Sequence, residues 1–164
     1  MKKLFVFLDV DGVLNDTTYW EKFKKKNPEL SNLKIPYIPF NPKSLRNLIR
    51  LNNKLKRKNI KMILILNSSW GRYAENRHIL KAKLNEYGIR YHYKTLYRNR
   101  YDNKKEAVAE WLKNYNNPKE YLIIDDFDLD FKEEYFVKTN MSSGFTNKKM
   151  YEALMKARKL WKTK

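Results

Sequence analysis

The amino-acid sequence predicts an α/β fold built on a mainly parallel sheet. Three observations carry that expectation. Short runs at residues 4–8, 60–66 and 121–124 are apolar throughout, apart from Lys61, rather than alternating, as in strands buried on both faces. Each run ends at a polar residue: Asp9, Asn67 and Asp125. Between the runs, apolar residues recur at helical spacing, so strands alternate with helices.

Taken in order, the first strand at residues 4–8 leads into Asp9-Val10-Asp11-Gly12. Residues 15–42 differ from the rest. Pro28, Pro36, Pro39 and Pro42 interleave with Trp20, Phe23, Tyr37 and Phe40, which reads as a small flap or cap, too aromatic for a solvated linker. Asn41-Pro42 opens a helix with proline at its first position, and Leu45, Leu48, Ile49 and Leu55 follow on one stripe. The second strand at 60–66 runs into the loop Asn67-Ser68-Ser69-Trp70-Gly71. A helix over 74–87 stops at Gly88, and residues 89–96 alternate weakly as a short strand. Asp102 or Asn103 caps a helix reaching about Tyr115, with Ala107, Val108, Trp111 and Leu112 on one face. Asn116-Asn117-Pro118 breaks it. Residues 121–124 and 136–139 are further strands. Thr146 or Asn147 caps a last helix carrying Met150, Leu154, Ala157 and Trp161. With no internal repeat, residues 1–164 read as one domain with 15–42 as its insertion.

Composition narrows the chemistry. Of 164 residues none is cysteine, which excludes disulfides, zinc–thiolate sites and cysteine nucleophiles. Two histidines, His78 and His92, cannot build a histidine-rich metal site, so a metal here is a hard cation on oxygen ligands. There is no G-x-x-x-x-G-K-[ST] phosphate loop. The N-terminal apolar run is too short for a signal peptide and ends in acids, and no stretch approaches a membrane span. The expectation is a soluble, cytoplasmic protein with no membrane partner. The formal net charge of +18 attracts polyanions, nucleic acids and nucleotides among them. The lysine, asparagine, isoleucine and tyrosine usage of an AT-rich genome produces the same excess, so both explanations stand.

Two acidic motifs stand where open α/β sheets bind ligands, past the carboxyl ends of strands. In Asp9-Val10-Asp11-Gly12, one carboxylate can attack phosphorus while the second moves a proton, and Gly12 permits a sharp turn. Isolated, these are also ordinary turn residues. Asp125-Asp126 closes another strand, and adjacent carboxylates repel unless a cation or a proton intervenes. Magnesium suits that pair; a solvated acidic turn continued by Asp128 and Asp130 is the alternative. Ser68 and Ser69 can offer a hydroxyl and backbone N–H groups to a phosphoryl oxygen. Lys104 and Lys105 begin a helix, either facing Asp9 and phosphate or facing water.

In this order, the four elements resemble the haloacid dehalogenase (HAD) superfamily of phosphohydrolases. Ser68-Ser69-Trp70-Gly71-Arg72 is similar to a T-S-W-R signature, residues 104–112 to a K-G-E-A-I-x-x-W-L helix, and Gly144-Phe145-Thr146 to a late G-L-T element. They resemble a small branch found in phages, bacteria and RNA-repair proteins. The resemblance spans nearly the whole chain apart from 15–42. It implies a Rossmann-like three-layer sandwich with a minimal cap and an open site, and an Mg2+-dependent phosphatase working through an aspartyl-phosphate. On it, Asp9 is nucleophile and metal ligand, and Asp11 is the general acid/base with its carbonyl on magnesium. Ser68, with Ser69 as runner-up, binds the phosphoryl group beside Gly12 and Arg72. Lys104 neutralises Asp9 and phosphate. Asp125 and Asp126 hold the metal, with Asp130 an alternative to Asp126. Asp11 favours a phosphatase over a dehalogenase, which lacks that acid. An open site combined with the charge points to a polynucleotide end or a nucleotide. A small metabolite and a binding-only nucleic-acid module are the competing functions.

Overall fold

Five strands make one all-parallel sheet: β1 (Lys2–Leu8), β2 (Ile60–Leu66), β3 (Tyr91–Lys94), β4 (Tyr121–Asp125) and β5 (Phe136–Lys138). Their spatial order is β3-β2-β1-β4-β5. The computed structural model describes residues 1–34, 37–95, 103–128 and 130–161. Five helices accompany the sheet: α1 (Thr17–Lys26), α2 (Pro42–Lys56), α3 (Ala74–Glu86), α4 (Lys104–Asn114) and α5 (Asn147–Lys159).

Side chains of a strand alternate between faces, and the core divides accordingly. Leu4, Val6 and Leu8 share one cluster with Leu45 and Leu48 of α2, Leu80 and Leu84 of α3, and Leu154 of α5. Phe7 points the other way and packs with Ile65, Ile123 and the α4 residues Val108 and Trp111. The Phe7 and Trp111 rings meet edge to face at 5.3 Å. Helices thus cover both faces, the layering of a Rossmann-like α/β sandwich. Because both faces of β1 are covered, its sequence reads as a continuous apolar run.

The caps select between the sequence alternatives. Asn41 accepts from the Lys43 N–H, with Pro42 at the first helical position. Asn103 accepts from the Lys105 N–H, and Thr146 from the Lys149 N–H. Asp102 lies outside the described residues, as does Leu96; of the expected 89–96 strand only Tyr91–Lys94 is strand, and residues 89, 90 and 95 are not. Pro36 is likewise outside the described residues. Residues 15–42, expected as an insertion, contain α1, capped by Asp16, and a 3-10 turn at Pro28–Leu30. No residue of α1 is buried. No helix among the described residues is long and apolar enough to cross a membrane.

Strand order runs outward from β1 in both directions, so the sheet's switch point lies between β1 and β4. Those are the two strands that end in paired acids.

Candidate active site

Parallel pairing aligns the two acidic motifs. Leu8 pairs with Ile124, and the Asp9 N–H donates to the Ile124 carbonyl at 3.0 Å. Asp9 and Asp125 therefore leave neighbouring strands at the same edge. Both are buried. Asp9, Asp125 and Asp126 each offer a carboxylate oxygen, and the three atoms lie within 4.8 Å of one another. Lys104, the first residue of α4, reaches in from the other side: its Nζ sits 2.8 Å from Asp9 Oδ2 and 2.9 Å from Asp125 Oδ2.

Among the described residues three carboxyl groups crowd together and Lys104 pairs with two of them. Burial pushes the Asp125 carboxyl up, the Asp9 charge adds to this, and Lys104 and the Phe127 N–H act against it. Burial and Asp9 raise Asp126 as well. Burial alone would lower Lys104, yet Asp9 and Asp125 outweigh it and hold the ammonium above its usual range. A hard divalent cation would relieve this crowding, and the three carboxyl groups offer the oxygen ligands such a cation takes.

Gly12 lets the two tips close on each other. Its φ is +69°, and a Cβ there would fall 2.5 Å from Asp126 Cγ. Its carbonyl accepts from Thr139 Oγ1 at 2.8 Å, which ties the loop to the chain after β5. Asp11 sits apart from the three-carboxylate group. Its Oδ1 accepts from Asn15 Nδ2 at 2.8 Å and its Oδ2 from Trp70 Nε1 at 3.1 Å. Burial raises its carboxyl, assisted by Asp9 and opposed by those two donors and by Lys104. A carboxyl held this way keeps its proton to higher pH, as a general acid needs.

The sequence alternatives separate by position. Ser68 is buried and caps a 3-10 turn at Ser69–Gly71, its Oγ accepting from the Trp70 N–H at 3.4 Å, whereas Ser69 is exposed. Asn67 N–H donates to the Leu8 carbonyl, which brings this loop beside Asp9. Arg72 is half-buried just after the turn. Lys105 turns away to Asp130 at 2.7 Å. Asp130, whose side chain is 97% exposed, stands apart from the Asp9, Asp125 and Asp126 group. Three contacts went unread in sequence. Asn15 lies one helical turn beyond Asp11, which is a weak signal. The Trp70 contact joins two loops and has no local signal. Phe127, an exposed aromatic whose ring centre is 5.9 Å from Lys104 Nζ, is marked only by following Asp125-Asp126.

Comparison with known proteins identifies the family. Residues 5–150 match the family described as "HAD domain in Swiss Army Knife RNA repair proteins". Among solved structures, a hypothetical protein from Xanthomonas campestris aligns over 99% of this chain and 86% of its own, at 13% identity and a TM-score of 0.45. No curated protein matches. The family match covers most of the chain, both acidic motifs included: the protein belongs to the HAD domain family of Swiss Army Knife RNA repair proteins.

Proposed function

We propose that this chain is an Mg2+-dependent phosphomonoesterase acting through Asp9 on phosphorylated nucleic-acid ends or nucleotides. Family membership already points to a phosphatase-type or related hydrolase role. The observation that carries the finer reading is the meeting of Asp9, Asp125 and Asp126 within 4.8 Å, with Lys104 on two of them.

In this reading an Asp9 carboxylate oxygen attacks phosphorus, and the bond from phosphorus to the leaving oxygen breaks. Asp11 gives its proton to that oxygen. The resulting Asp11 carboxylate then takes a proton from water as the water oxygen attacks the aspartyl-phosphate. Inorganic phosphate leaves and Asp9 is regenerated. Asn15 and Trp70 hold the Asp11 carboxyl in orientation through both steps. Ser68 and Gly12 border the space for the phosphoryl oxygens, with Ser69 and Arg72 at its margin. Lys104 pairs with Asp9 and offsets phosphate charge. Held by Asp9, Asp125 and Asp126, and by the Asp11 carbonyl as the family resemblance implies, Mg2+ would supply positive charge that screens the nucleophile from an incoming phosphate.

The test is turnover of 3′- and 5′-phosphorylated oligonucleotides, mononucleotides and a metabolite panel, with magnesium and with chelator. The expected result is magnesium-dependent release of phosphate, fastest from a nucleotide substrate and abolished in Asp9→Asn. Release that survives Asp9→Asn or chelation would sink the mechanism. Preference for a non-nucleotide metabolite would sink the substrate class.

A further inference from the structure

Beside the acidic edge lies a basic groove that the chemistry above does not use. One face of α1 lines it with Tyr19, Lys22, Phe23 and Lys26, which are three and four residues apart and so share a stripe. The start of α2 forms the facing wall through Lys43 and Arg46. The groove encloses about 810 Å³ and continues along α2 into a second hollow of about 330 Å³ past Arg50, the two sharing Lys43 and Arg46.

Its charge is one-sided. Lys22, Lys25, Lys26, Lys43, Arg46 and Arg50 line the two hollows, all exposed, against the single acid Asp16. Asp16 is already engaged, accepting from the Tyr19 N–H at 2.8 Å and from Asn41 Nδ2 at 2.6 Å. Two half-buried aromatic rings, Tyr19 and Phe23, stand 6.4 Å apart among the lysines. The groove also belongs to the edge that holds Asp9. α1 follows β1 directly, and the segment after β5 touches both places: Thr139 donates to the Gly12 carbonyl, the Phe145 N–H donates to the Val13 carbonyl, and Ser142 and Ser143 line the groove.

We propose that this groove between α1 and α2 is the track for a single-stranded polynucleotide whose phosphorylated end reaches Asp9. A row of cations matches a phosphodiester backbone, and interleaved aromatic faces suit unstacked bases, which a duplex keeps hidden. The presence of α1 follows from the same logic. It buries nothing in the core, so its aromatic and lysine stripe is free for a ligand. The assignment rests on the phosphatase reading for the identity of the strand's end, but its test does not require turnover.

The experiment is fluorescence anisotropy of the full chain with a 12-nucleotide single strand lacking terminal phosphates, across a salt series. The double substitution Lys22→Gln/Arg46→Gln should weaken binding roughly tenfold and flatten the log–log salt slope by about 1.4, twice the 0.7 per phosphate contact of single strands. A control, Lys58→Gln/Lys119→Gln, removes the same charge from exposed residues preceding β2 and β4, at the opposite edge of the sheet. It should leave affinity near wild type. Equal loss in both double variants would overturn the groove in favour of the general field of the protein. So would unchanged affinity in the groove variant, equal binding of the matching duplex, or equal competition by polyglutamate. Groove-dependent binding with no phosphatase activity on any substrate would uphold the track and sink the catalytic reading instead.

Discussion

Charge is used in two different ways at neighbouring places in this protein. At the carboxyl ends of β1 and β4, acids are buried, outnumber their one lysine, and are positioned by strand register. On the helices, cations are exposed, outnumber acids, and are spaced by helical turns. Buried charges interact strongly and in a position-specific way, because little water screens them. Exposed charges add up weakly and interchangeably. Single substitutions at the strand tips should therefore have large, qualitative effects, and single substitutions on the helices small, graded ones.

The largest effect expected is Asp9→Asn, which keeps shape but removes the nucleophile. Phosphatase turnover should fall by about a thousandfold or more while the far-UV spectrum is unchanged. A loss of less than tenfold would break the contrast at its strongest point. Next comes Lys104→Met, which strips the Lys104 ammonium from Asp9 and Asp125. Removing one partner of a buried ion pair costs about 3 kcal/mol, read as a lower Tm. Added magnesium should recover part of that loss and raise Tm more in the variant than in wild type. Equal magnesium shifts in both would argue that no cation joins the carboxylates. Gly12→Ala should be milder in energy, about 1–3 kcal/mol. A Cβ would enter the Asp126 carboxyl from a backbone at φ +69°. Because it pushes apart the two tips, its loss of magnesium affinity by titration calorimetry should exceed that of any substitution on α1.

What was legible in sequence follows the same divide. β1, β2 and β4 are legible because both their faces are covered, so burial writes itself as a nearly unbroken apolar run. Asp9 and Asp125 are legible because they end those runs. The choice of Lys104 over Lys105 depends on helix phase: the Asn103 cap sets where the helix starts and so which lysine faces Asp9. Ser68 differs from Ser69 only by burial, which adjacent identical residues do not reveal. The Trp70 indole on Asp11 joins positions 59 residues apart. Its geometry is set by how two loops meet across paired strands, and neither loop's own sequence encodes that. In α1 the obstacle is different. Its aromatic stripe of Tyr19, Trp20 and Phe23 is short, only half-buried and interleaved with lysines, so the segment reads only as a proline-bounded, aromatic flap.

The smallest predicted effect tests the helix side of the comparison, at a half-buried cluster. On α5, Glu152 accepts from Lys149 Nζ at 2.7 Å and pairs with Lys156 Nζ at 3.2 Å. Burial favours the neutral acid, but the two lysines outweigh it and hold the carboxyl below its ordinary value of 4.5. A depressed folded value means that the unfolded chain binds this proton more readily. The stabilisation is therefore fully present above the unfolded pKa and is lost as pH falls through the folded one. Glu152→Gln should cost about 0.5 kcal/mol at pH 7, the scale of helix-surface pairs. The gap between variant and wild type should close as pH drops below the ordinary glutamate range. High salt should shrink it at pH 7 while leaving the Lys104→Met loss largely intact, since screening reaches α5 and not the buried carboxylates. Urea melts of both variants at two pH values and two salt concentrations measure this. Equal salt sensitivity in the two would mean that the strand-tip charges are as solvated as those on the helices, and that the division between the two regions is not one of burial.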